Sequence, residues 1–470
     1  SVYDKRFGFL WGLSFGGSIL PFLYFKSGII DPWFNLFIFS GIYRLVLITN
    51  NVTSSLTVRN GIFAGVFFGL ATLTKGPVAI LIALLSVMAF IILQRKLWIF
   101  SLASIAAIAS SYIIVAGSWF LFLFIIGKQQ LINDFLAYQL RLFSTEDSGH
   151  GVFFGYHFVV LLIGCFPASL FSFIAWRRFS SDTPFQRFFK NWMVLLFWVV
   201  LILFSIVKTK IVHYSSLCYF PLSFLSAYGI NKLLTGESKW NSRLKFLGIV
   251  ISLFLGLAFS LIPLIDNLKE IFISSSMIKD SFTIACLSEN VGWKWYDASP
   301  GIIFLFSSSF FILGYKRIKF NQVIVFFVLN ALCLYFILLF IVPKIERYSQ
   351  GPEIDFFKNL KDKKCYTETV GFKSFAPLFY AEKTPELNTP ELIEHVKNKI
   401  ESDKRTGQPI FSFNLYATNF IRGEEIRFPA YFSVRFNDSE NFEKENPHIK
   451  KLYTKGGYCF YMREPNQKKR

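Results

Sequence analysis

Stretches of about twenty nearly unbroken apolar residues recur from the start of the chain to about residue 343. Few folds accept such runs. In hydrocarbon every backbone N–H and C=O must be paired internally, and segments of this length achieve that as helices. The alternating pattern of an outer-membrane barrel is absent. With 53% hydrophobic and only 17% charged residues, the chain reads as a polytopic α-helical membrane protein. Spans are expected at roughly 7–25, 30–48, 60–73, 77–94, 99–126, 152–175, 192–207, 213–234, 245–265, 299–316 and 322–343, about eleven transmembrane helices.

After Pro343 the composition turns polar. Short apolar pieces such as "QPIFSFNLYA" and "GGYCFYM" alternate with a helix-like "TPELIEHVKNKI". Two domains are therefore expected: a transmembrane domain, 1–343, and a small α/β soluble domain, 344–470. The six cysteines stand at 165, 218, 286, 333, 365 and 459. No pair has metal-site spacing, and only Cys365 and Cys459 are candidates for a disulfide in an oxidising compartment.

Loop charge sets the orientation. One alternate set of loops is short and basic: Lys5 and Arg6, Arg59, "QRK" at 94–96, and the segments 176–191, 232–245 and 315–320. The positive-inside rule puts these in the cytoplasm. The net charge of +19 then needs no nucleic acid; it is an orientation signal with contacts to anionic membrane lipid. The other set falls outside: "KSGIID", "TKGP", the 127–151 loop, "KTKIVH", the 266–298 loop and the carboxy-terminal domain.

That outer set carries groups capable of chemistry. Lys75 ends an apolar run and is followed at once by Gly76 and Pro77, so two helices meet there at the surface. A lysine in such a place can simply snorkel to water. Asp31 precedes a proline at a helix start, where an acid can also serve as a cap. The 138–158 stretch offers Arg141, Glu146, Asp147, His150, Tyr156 and His157; the 204–221 stretch offers Lys208, Lys210, His213 and Tyr214. Cations, imidazoles and phenols converging at one membrane surface suit a phosphate held at headgroup level.

The motifs "LATLTKGPVA", "YQLRLFSTEDSGHGVFFGYHF", "FSIVKTKIVHYSSLCYFP" and "GFKSFAPLFY" resemble those of the bacterial aminoarabinose-transferase-like (ArnT-like) glycosyltransferases. These have the GT-C fold and are related to the protein O-mannosyltransferases. The resemblance implies transfer of a sugar from a polyprenyl-phosphate donor to a lipid, glycan or protein acceptor, on the periplasmic face of the bacterial inner membrane. It also implies a divalent metal ion with His150 as a ligand. Lys75, Arg141, Lys208, Lys210, His213, Tyr214 and Tyr156 would be phosphate-side groups, and Asp31 the candidate catalytic carboxylate. The family's first two helices, and the long outer loop carrying its usual catalytic acid, have no counterpart before "SVYDKRFGFLWGL". The chain is accordingly expected to be an amino-terminally truncated member, inactive by itself. The alternatives are a flippase or transporter of polyprenyl-linked oligosaccharide, a polymerase or ligase of such glycans, and a non-catalytic fragment that only binds lipid phosphate. A transporter should carry charge deep along a path.

Overall fold

The computed structural model describes residues 2–50, 54–95, 100–144, 153–207, 210–274, 278–384, 387, 389–406 and 413–465. The chain forms two compact units, Ser1–Phe259 with Pro300–Phe336, and Ser260–Ser299 with Ile337–Arg470.

Among the described residues, seven helices are long and apolar enough to cross a membrane. They become eight if the pair Tyr156–Gly164 and Ala168–Trp176, bent by 107°, counts as one span. Each of the eleven expected segments contains helix, but among the described residues not all of them run as one unbroken helix of spanning length. The 7–25 segment is split into Lys5–Gly16 and Ile19–Tyr24, Val78–Gln94 has 17 residues, and 213–234 opens as a 3-10 turn before Tyr219–Leu234.

The breaks survive because protein surrounds them. Ser18 and Phe166 sit in two different breaks and satisfy each other's neighbours. The Ile19 amide donates to the Phe166 carbonyl (3.1 Å), and the Ala168 amide to Ser18 Oγ (3.3 Å). Tyr219–Leu234 is buried almost all round; at Gly229 a Cβ would run into the Phe171 carbonyl.

Glycine also sets the approach of Ser54–Lys75 to Leu102–Ile125, the most extensively packed helix pair among the described residues. Gly61, Gly65 and Gly69 recur every four residues and so share one face. A Cβ at Gly61 would lie 2.9 Å from the Ser104 carbonyl, and one at Gly69 2.7 Å from Val115 Cβ. At Gly65 it would overlap Ser111 Oγ and the Ile108 carbonyl. Small residues at this spacing let backbones touch where lipid gives no hydrophobic drive for association.

The second unit holds a four-stranded sheet of β1 (Tyr366–Val370), β2 (Ala430–Arg435), β3 (Lys450–Lys455) and β4 (Tyr458–Arg463), in the order β1-β2-β4-β3. Only β1 and β2 run parallel. One sheet face packs Phe432 and Tyr461 against the helices Pro390–Thr406 and Phe413–Gly423 through Leu392, Val396, Tyr416 and Phe420. The other packs Tyr458 and Phe460 on Phe356 and Phe357 of Gly351–Lys358. The 266–298 stretch is more than a loop. Its helix Ser281–Leu287 belongs to this unit, with Phe282 edge-on to Tyr458 at 5.3 Å and Cys286 Sγ bonded to the Gly456 carbonyl. All six cysteines are buried and free, so Cys365 and Cys459 form no disulfide.

Glu353 is 1% exposed in this unit, and burial pushes its carboxyl from the ordinary 4.5 to about 7. The folded state therefore keeps a proton that the unfolded chain releases near pH 4.5. Its stabilising contribution is complete below that pH and is lost as pH rises towards 7, by about 3 kcal/mol in all. Hydrogen exchange of the β2 and β4 amides, corrected for intrinsic rates, should show protection falling across this window. Glu353→Gln should flatten the slope; an unchanged slope would remove Glu353 as its source.

Candidate functional site

The Thr-Lys-Gly-Pro stretch is the corner of the site. Lys75 is the last residue of Ser54–Lys75, and Gly76 takes φ +93°, a left-handed value that costs glycine little. Pro77 then caps Val78–Gln94. The turn delivers Lys75 to Asp31, the buried first residue of Asp31–Asn50, and the two side chains form an ion pair. The carboxylate is nearly enclosed whereas the lysine side chain keeps 33% of its surface exposed. Lys75 Nζ also lies 5.6 Å from the centre of the Tyr214 ring.

These groups border a cavity of about 110 Å³. Its polar lining comes from Asp31, Asn35, Lys75, His213 and Tyr214; the rest is apolar, including Phe34, Leu81, Leu203 and Phe204. The first turns of two helices, at Asp31 and Val78, reach the same space. Helix amino-termini favour anions through their free N–H groups and dipole.

A hydrogen-bonded network stiffens the wall. Asn35 Nδ2 donates to Ser216 Oγ at 2.8 Å, and Tyr24 OH and Ser216 Oγ are 2.6 Å apart. Ser216 in turn donates to the His213 carbonyl. Asp31–Asn50 is thus tied to the 3-10 turn Val212–Cys218 that presents His213 and Tyr214. Next to it, His157 Nδ1 is 3.1 Å from Ser215 Oγ.

Of the residues singled out from the sequence, Asp31, Lys75, His213 and Tyr214 come together. Lys210 does not join them. It is buried, and its ammonium donates to the Ser205 and Val207 carbonyls (2.8 and 2.9 Å), closing the end of Pro184–Ile206. Tyr156 opens Tyr156–Gly164 and packs edge-on against His157 at 5.1 Å, off the cavity lining. Arg141 belongs to Gln129–Ser144, but its side chain, like Lys208 and His150, lies outside the described residues. Among the described residues no three His, Cys, Asp or Glu are grouped to hold a metal. The donor set for the expected divalent ion is therefore not found there. Asn35 and Tyr24 went unnoticed in the sequence. Asn35 had a signal: it stands four residues after Asp31, a second polar group on the same face of an apolar helix.

No family model matches the chain. It is 26% identical over 216 residues to the undecaprenyl phosphate-alpha-4-amino-4-deoxy-L-arabinose arabinosyl transferase of Wigglesworthia glossinidia brevipalpis, a match covering 44% of this chain and 36% of the relative. The chain thus spans well under half the length of that curated relative. Its structure superposes on the crystal structure of ArnT from Cupriavidus metallidurans in the apo state with a TM-score of 0.69, at 12% identity, over 98% of this chain and 79% of that one. The chain is ArnT-like in sequence and fold. The same neighbour bound to undecaprenyl phosphate matches with a TM-score of 0.68, at 11% identity, over 97% of this chain and 79% of that one. The fold observed is that of the ArnT neighbour, and its long apolar helices are those of a multi-pass membrane protein.

Proposed function

We propose that this ArnT-like chain forms a membrane glycosyltransferase, in which the Lys75 cavity seats the phosphate of a polyprenyl-phosphate sugar. The sugar passes to a lipid, glycan or protein acceptor on the periplasmic side. The observation that carries this reading is the composition of the cavity: one partly exposed ammonium, held by Asp31, with Asn35, His213, Tyr214 and two helix starts at one side of a largely apolar space. That combination suits a phosphate attached to a hydrocarbon chain. The relative's name supplies the donor class, undecaprenyl phosphate carrying an aminoarabinose, and the structural neighbour binds undecaprenyl phosphate itself.

When the glycosidic bond breaks, negative charge collects on the departing lipid phosphate. Lys75 is placed to meet it, and fixed charge of this kind lowers the barrier because nothing must reorganise at the moment of reaction. Asp31 acts through Lys75, holding the ammonium at the cavity. Tyr214 offers its ring face to the same ammonium, and His213 completes the wall. A divalent ion remains part of this reading, with His150, which lies outside the described residues, as its implied ligand. The basic loops of the alternate set support an outward orientation of the Thr-Lys-Gly-Pro corner. A transporter is disfavoured because Asp31 and Lys75 sit at helix ends rather than along a path through the bilayer.

The test is transfer itself. Membranes containing the protein should move labelled sugar from an undecaprenyl-phosphate donor to an extractable acceptor, with release of undecaprenyl phosphate; donor binding without transfer would instead leave the inactive, phosphate-binding chain that the missing acidic loop implies. Translocation of the intact donor without release would favour the transporter.

A further inference from the structure

A second polar cavity, of about 250 Å³, lies at the other end of Pro184–Ile206, lined by Arg178, Phe179, Asp182, Arg187, Lys190 and Asn191. Its floor is tightly built. Asp182 is buried; it pairs with Lys232 at 3.0 Å and accepts from Tyr228 OH at 2.5 Å. Lys232 also pairs with Glu237 at 2.9 Å. Lys190 is 5% exposed and donates to the Arg177 carbonyl at 2.8 Å. Four cations, Arg178, Arg187, Lys190 and Lys232, thus stand against two carboxylates, Asp182 and Glu237. Both acids are engaged by Lys232. The cavity keeps a positive surplus that a bound anion would balance.

The cavity continues into an apolar one. Arg178 and Asn191 also line a groove of about 760 Å³ that follows Leu195, Trp198, Ile202 and Ile206 along one face of the same helix. From Asn191 to Ile206 that face runs about 22 Å. An anion seat opening into an apolar groove of this length has the shape of one lipid molecule.

This is not the Lys75 site. The groove shares Leu203 with the Lys75 cavity, but the two polar seats are apart: the Lys75 cavity meets the helix at Leu203, Phe204 and Val207, whereas the basic one meets it at Arg187 and Lys190. Their separation along the helix is about 25 Å, close to the thickness of the hydrocarbon core. The two seats therefore serve opposite surfaces of the bilayer. The basic one lies on the side that the loop charges assign to the cytoplasm, where anionic lipid is concentrated.

We propose that this cavity and groove bind one anionic glycerophospholipid of the cytoplasmic leaflet. Its phosphate sits at Arg178, Arg187 and Lys190, and an acyl chain lies along Trp198 and Ile202. The same phosphate chemistry could come from the tail-bearing donor, so the experiment separates the two. The purified full chain is offered dioleoylphosphatidylglycerol, dioleoylphosphatidylcholine or undecaprenyl phosphate, and retained lipid is counted by native mass spectrometry. Phosphatidylglycerol should be retained over phosphatidylcholine. Arg178→Gln with Arg187→Gln, both exposed side chains, should weaken phosphatidylglycerol retention about tenfold and leave undecaprenyl phosphate unchanged. Ile202→Trp, which fills the groove, should displace phosphatidylglycerol while thermal unfolding stays as in the parent. Equal retention of the two phospholipids by the parent chain would overturn the proposal. So would phosphatidylglycerol binding that ignores the arginine variant, or parallel loss of undecaprenyl phosphate, which would give the groove to the donor.

Discussion

Lys75→Met should lower sugar transfer by about 10²- to 10³-fold, the usual cost of removing one preorganised group that faces developing charge. Methionine keeps the length and apolar bulk of the lysine stem, so packing at the Gly76 corner is preserved. A second effect must be separated from the first. Asp31 is 6% exposed, and without Lys75 its carboxylate is left buried and unpaired, which costs about 3–5 kcal/mol of stability. The double variant Lys75→Met with Asp31→Asn removes that penalty. Its thermal unfolding should return close to the parent's, while transfer stays low. If the double variant regained transfer along with stability, Lys75 would be a structural partner for Asp31 and not a phosphate group.

Gly65→Val should produce the largest structural effect in the membrane unit. The added side chain meets Ser111 Oγ and the Ile108 carbonyl, and backbone cannot step aside as a flexible side chain would. Overpacking a close contact typically costs about 1–3 kcal/mol, and here a branched residue meets backbone on a face that Gly61 and Gly69 also hold tight. Ser54–Lys75 must then move away from Leu102–Ile125 and carry Lys75 with it. The expected result is a much reduced yield of folded protein, with transfer lost in whatever remains. Gly117, around which there is open space, serves as the control, since Gly117→Val should leave the helix pair intact. Parent-like yield and activity from Gly65→Val would show that the glycine face does not set the crossing.

The parts of this molecule that follow from local pattern were readable before its fold was known. Apolar runs mark the helices because lipid admits little else. Lys75 and Asp31 stand out because a charge beside such a run demands a reason, and the Gly-Pro that follows Lys75 marks a helix corner. What depends on contacts between distant residues was not readable. The breaks at Ser18 and Phe166 repair each other across about 150 residues of chain, and hydropathy simply averages over both. Lys210 looked like a phosphate ligand because it sits in a basic, histidine-bearing motif. Its choice of the Ser205 and Val207 carbonyls depends on how the preceding helix ends. The period-four glycines were visible in principle, but their partner helix was not. Ser281–Leu287 is too short and mixed to announce that its Phe282 packs on Tyr458 of the last strand.

The central claim is that Lys75 seats a lipid phosphate. The direct measurement is the affinity of the purified chain for undecaprenyl phosphate against undecaprenol, which has the same tail and no phosphate. The parent should prefer the phosphate at least about tenfold, the worth of one charge-assisted contact. The stable double variant Lys75→Met with Asp31→Asn should bind the two lipids alike. A phosphate preference that survives unchanged in that variant would contradict the account.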